Sequence, residues 1–198
     1  MKKGKIFKSL LLVLLLASTF IISANAVEPR KDLGYRWNDA SATVYFYCGF
    51  NDTWKNAISA GMISWNNVLN NDNEIIVPMA FTGNSSHSNR IYSTSGQIWL
   101  GKMFPTSSNG ILTAASIAFN SGDYTFTVGA VSGRYDIQTV ATHELGHAIG
   151  VAHCHERTET SCFSDTCSTN VMQPTVPSNY TRRNLTSYDT SSKKIIYW

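Results

Sequence analysis

Four of the chain's five histidines fall within ATHELGHAIGVAHCH, residues 141–155. His143, His147 and His153 succeed one another at intervals of four and six. Residues four apart on an α-helix lie on one face, a turn above each other. His143 and His147 therefore project their imidazoles to the same side. Gly150 supplies the left-handed residue that closes many helices, so the chain turns there and returns His153 from beyond the helix end. Glu144 is rotated about 100 degrees from His143 at roughly 3.6 residues per turn, which sets it beside a shared ion and not among its ligands. A chain carrying this stretch must build one helix from near Asp136 to Gly150 and fold it against the segment beyond that glycine.

Three protein nitrogens with one open position form the arrangement of a catalytic zinc, with Zn–N near about 2.0–2.1 Å. A closed structural site supplies a fourth protein ligand. Zinc lowers the pKa of its water towards about 7. Glu144 is the candidate catalytic residue, taking that proton and passing it to a leaving amine. The expected activity is hydrolysis of peptide bonds without a covalent intermediate. The expected cofactor is one Zn2+, and the expected partner is a protein or peptide substrate. Two alternatives share the ion: a protease specific for one partner protein, and a non-catalytic zinc-binding module. Glu144 weighs against the second, because a pure binding site has no need of it.

The full pattern is H-E-x-x-H-x-x-G-x-x-H, and NVMQP places Met172 nineteen residues after His153. Together they resemble the metzincin zinc endopeptidases, with Met172 as the Met-turn. YDIQTVATHELGHAIGVAH, the Met-x-Pro turn and the ending NLTSYDTSSKKIIYW are most similar to the matrixins, with Asp189 and Tyr197 standing for that family's acidic residue and last tyrosine. The resemblance implies an α+β fold. It has a mixed twisted sheet, two main helices, an active-site cleft, and a small irregular C-terminal lobe ending in a helix. The upper part spans about 35–150 and the lower about 151–198. The resemblance also implies an edge strand beside the cleft that binds substrate by β-augmentation, expected within Ile111–Phe119. Residues 175–184, TVPSNYTRRN, are implied to wall the pocket for the residue after the scissile bond. Which of Tyr180, Arg182 and Arg183 shapes it is left open. IAFNSGDYTF is similar to a structural-metal segment of that family but lacks its histidine, and calcium near Asp123 stays open.

Outside the motif, the opening MKKGKIFKSLLLVLLLASTFIISANA has four lysines, a short apolar run and Ala24-Asn25-Ala26. This reads as a secretory signal peptide, residues 1–26, cleaved after Ala26, so the expected destination is extracellular. Residues 27–198 form the expected catalytic domain, with 12 basic and 13 acidic residues. A near-neutral chain without a basic stripe gives no reason to expect nucleic acid. A monomer without membrane attachment after signal cleavage is expected. Cys48, Cys154, Cys162 and Cys167 allow three pairings, and export favours disulfides. A bridge within the 154–167 loop is preferred there to a second zinc on Cys154, His155, Cys162 and Cys167.

Periodicity predicts strands in ATVYFYC, EIIVPMAF (74–81), from Arg90, ILTAASIAF (111–119) and YTFTVGA (124–130). It predicts an amphipathic helix in DTWKNAISAGMISWNNVLN capped by Asp52 or Thr53, and a second helix capped by Asp136. A terminal helix starts after Thr186 as N-cap, with Asp189 completing a capping box.

Overall fold

The computed structural model describes residues 32–154 and 167–197. The expected signal peptide, His155 and Cys162 lie outside those residues. The chain runs through β1 (Val44–Cys48), α1 (Asp52–Asn66), β2 (Met79–Thr82), β3 (Arg90–Ser93), β4 (Gly101–Ser108) and β5 (Ile111–Phe119). It continues through β6 (Phe126–Thr127), β7 (Tyr135–Asp136), α2 (Ile137–Ala148) and α3 (Ser187–Ile196). The first five strands form one mixed sheet in the order β2-β1-β3-β5-β4. All neighbours are parallel except β4, which runs antiparallel to β5 on the rim. β6 and β7 pair in a separate two-stranded sheet. This is the expected α+β architecture.

Alternation drives β1. Val44, Phe46 and Cys48 face inward while Tyr45 faces out, the period-2 pattern of a half-buried strand. In α1, Ile58, Met62 and Trp65 recur at helical spacing and are all buried. Fully burying each such side chain contributes about 1.5–3 kcal/mol. Trp65 also donates its indole N–H to the Thr142 carbonyl at 2.7 Å, so the two long helices are joined by a polar contact inside an apolar seam. The cap of α1 is Asn51, one residue before the expected Asp52 or Thr53. Asn51 is extended and its side chain accepts the Trp54 N–H at 3.0 Å, whereas Asp52 is already helical.

Two sequence expectations are corrected. The strand read in 74–81 begins only at Met79, because Val77 adopts a left-handed φ of 46° and gives its N–H to the Ala40 carbonyl. The edge of the sheet is not Ile111–Phe119, which lies between β3 and β4. It is β4, whose only buried residue is Met103.

Lys193 on α3 is wholly buried, and its Nζ donates to the Trp65 carbonyl at 2.6 Å, near the end of α1. Burial pushes its pKa down to about 7. An unfolded lysine titrates near about 10.4, so between those values the unfolded chain binds more protons than the folded one. Stability contributed by this site therefore rises with pH across that window and is lowest below it. Urea unfolding of Lys193→Met beside wild type checks this. The gain in stability of the variant over wild type is larger at pH 7 than at pH 10, and an equal gain at both refutes the reading.

Candidate active site

Asp136 starts the site helix. It accepts the Thr139 N–H at 2.9 Å and the Thr139 hydroxyl at 2.7 Å. Arg183 grips the same carboxylate with two bonds, at 2.8 and 2.6 Å. Burial alone would raise the Asp136 pKa. The Arg183 guanidinium, Thr139 and the Gly129 N–H outweigh it and hold the carboxyl below its ordinary value. A negative charge at this end also suits the helix dipole.

The other end is closed by a Schellman motif. Gly150 has φ 87°, its N–H bonds the His147 carbonyl, and the Val151 N–H bonds the Gly146 carbonyl. The turn points the Val151 carbonyl back at the helix, where it accepts the His147 Nδ1–H at 2.8 Å. The Val171 carbonyl does the same for His143 at 2.8 Å. Carbonyls only accept, so both imidazoles carry their proton on Nδ1 and present bare Nε2 lone pairs.

Those lone pairs converge. The Nε2 atoms of His143 and His147 are 3.0 Å apart, and each is 3.1 Å from Nε2 of His153. Two bare nitrogens cannot hydrogen-bond each other, and this crowding is stable only around a cation. Nitrogens about 2.0–2.1 Å from a tetrahedral zinc stand roughly 3.3–3.4 Å apart, close to the triangle found. Protonation does not compete at neutral pH. Burial first, and then its two neighbours, hold His143 well below its ordinary value. Burial and His153 bring His147 down to about 4, and burial lowers His153. Among the described residues this is the one group of three or more His, Cys, Asp or Glu side chains placed to hold an ion.

Glu144 stands next to the triangle and outside it. Its Oε2 accepts the Met103 N–H of β4 at 2.8 Å. Burial raises its pKa to about 8, against the Met103 N–H and the charge of Lys102. The rim strand comes this near only because residue 101 is glycine. A Cβ there would lie 2.6 Å from a Val140 methyl and 3.2 Å from Glu144 Oε1.

Beneath the helix, Met172 is fully buried with its sulfur against Gly146. Its carbonyl accepts the Cys154 N–H at 2.9 Å, next to His153. Asp189 anchors this turn from below, accepting the N–H groups of Val171 and Met172 and closing the capping box of α3 with Thr186. Tyr197 donates to the Ile149 carbonyl at 3.0 Å, tying the last helix to the end of α2. Cys154 and Cys167 form a disulfide, as the loop composition suggests, while Cys48 is a buried free thiol. Closing a loop of this length removes about 3 kcal/mol of chain entropy from the unfolded state. The bridge fastens the segment just after His153 to the segment just before Met172.

All five sequence-predicted residues, His143, Glu144, His147, His153 and Met172, thus meet in one place. Sequence reasoning missed the Met103 amide and the Asp136–Arg183 pair. Asp123, the residue considered for calcium, accepts N–H groups from Gly96 and Gln97.

Residues 50–197 match the family model described as Peptidase_M10, Matrixin, and the chain belongs to that family. With the three-histidine site, this makes it a zinc metalloendopeptidase. No curated protein matches the chain significantly.

Proposed function

We propose that the protein is an exported endopeptidase in which His143, His147 and His153 hold one zinc ion, Glu144 is the general base, and Met172 floors the site. The observation that carries this is the triangle of converging imidazole Nε2 atoms, those of His143 and His147 bare, beside a buried carboxylate that is not part of it. Zinc, when bound, supplies a Lewis acid that acidifies water and polarises a carbonyl.

The chain's own residues do the rest. The Val151 and Val171 carbonyls fix the imidazole tautomers and raise their basicity as ligands. Glu144 accepts a proton at the carboxylate oxygen not engaged by Met103 and returns it to the departing amine. Beside a zinc cation this carboxyl is favoured in its ionised form, the form able to take a proton. Among the described residues β4 has no strand on its outer side, where its carbonyls can accept N–H groups of an extended peptide while the Met103 N–H stays with Glu144.

Chelator dialysis and then zinc readdition test the assignment. Cleavage of an unfolded protein substrate is lost and then restored, with one zinc bound per chain. Undiminished cleavage after complete zinc removal overturns it. Export is tested separately by sequencing the N-terminus of protein recovered from the medium. The expected first residue is Val27, and an intact Met1 on protein confined to the cell refutes export.

A further inference from the structure

The cleft beside the histidines encloses about 370 Å³. Much of its lining is apolar, including Leu100, Val140 and Val176, but Gln173 and Arg182 also face it. These two are unlike ordinary pocket walls, because each has a buried polar atom without a partner. Arg182 Nε has no acceptor, and Gln173 Oε1 has no donor.

Arg182 is only 7 % exposed. Its Nη1 donates to the Thr175 carbonyl at 3.0 Å, and its guanidinium carbon lies 5.4 Å from the centre of the Tyr180 ring. Among the described residues no carboxylate forms an ion pair with it. Its neighbour Arg183 takes Asp136. Asp189, which acts on Arg182 from a distance, is engaged by Val171, Met172 and Thr186. A buried guanidinium without a counter-charge is costly, and its natural complement is a carboxylate.

The backbone of Arg182 is fixed against the site helix. The Arg182 N–H bonds the Thr139 hydroxyl at 2.8 Å. Thr139 is one turn of α2 before His143, about 6 Å along the axis at roughly 1.5 Å per residue. The Arg182 backbone is thus held near His143, and its side chain lines the same cleft as His143 and Glu144.

We propose that Arg182 makes this pocket select an acidic residue, glutamate above all, immediately after the scissile bond. This rests on the peptidase reading above. The apolar collar takes the methylene stem and the Arg182 guanidinium takes the carboxylate. The Gln173 amide turns its NH2 to the same group, since its two ends are interchangeable by rotation.

The test is to digest a denatured mixture of proteins with the zinc-loaded enzyme and read the new N-termini, each of which is the residue that came directly after a cut bond. Glutamate is expected at least about tenfold over leucine after correction for abundance, with lysine nearly absent. Leucine at or above glutamate in the wild type overturns the proposal, and this ranking needs no variant. Arg182→Met, judged folded by its melting transition, reverses the order. A glutamate preference that persists in that folded variant also overturns it. No new N-termini at all would instead refute the peptidase reading, an outcome distinct from a wrong ranking.

Discussion

Glu144→Gln retains its zinc and loses peptide hydrolysis by about 10²–10⁴-fold, the usual worth of a positioned acid–base group. The amide nearly matches the carboxylate in shape, and its oxygen can still accept the Met103 N–H, so the local structure is kept. None of the three converging nitrogens belongs to residue 144, so metal content is unchanged. What disappears is the capacity to take a proton. Glu144→Ala gives the same separation of binding from turnover, with an added cavity. Zinc stoichiometry and kcat measured on the same preparation decide the matter. A variant that cuts as fast as wild type removes Glu144 from the mechanism.

Asp189→Ala costs about 3–5 kcal/mol of stability, from three orphaned donors at about 1–3 kcal/mol each, and weakens zinc binding about 10–100-fold. Asp189 is fully buried and accepts three backbone N–H groups, from Val171 at 3.1 Å, Met172 at 3.2 Å and Thr186 at 2.8 Å. Truncation leaves these three N–H groups without an acceptor, while the Thr186 hydroxyl keeps Asn170 Oδ1 at 2.7 Å, and orphaned groups carry the full desolvation penalty. The damage does not stay local. Val171 uses its carbonyl to orient His143, and Met172 uses its own to hold Cys154 beside His153. Denaturant unfolding and competitive zinc titration measure the two effects. Less than about 1 kcal/mol lost, with zinc affinity intact, refutes this coupling.

The site is legible in the sequence because its chemistry is written in consecutive residues. A helix start at Asp136, a histidine pair four apart and a glycine stop leave little freedom, and α2 runs as its caps dictate. The terminal helix is equally plain, since Thr186 and Asp189 form the capping box that their spacing announces. The rim strand is not. GKMFPTSS buries only Met103 and includes Pro105, so it has neither the alternation nor the apolar content of a core strand. Proline is tolerated there because edge strands need not donate outward. In 74–81 an apolar run suggests strand, but the Ala40 carbonyl claims Val77 and holds it in a left-handed turn. Nor does sequence say which arginine of an adjacent pair reaches the pocket. That depends on Asp136 being close enough to take Arg183.

The way Met103 is used bears on colloidal behaviour as well as chemistry. Its N–H turns away from β5 towards Glu144, so Gly101 and Pro105, two residues to either side, also aim their backbone polar groups off the sheet. Proline has no hydrogen to offer, and the Met103 hydrogen is already engaged. Along this stretch the bare margin accepts far more than it donates, and two copies meeting margin to margin would confront mostly oxygen with oxygen. The strand that stays open for a visiting chain is thereby a poor template for stacking the protein into fibres.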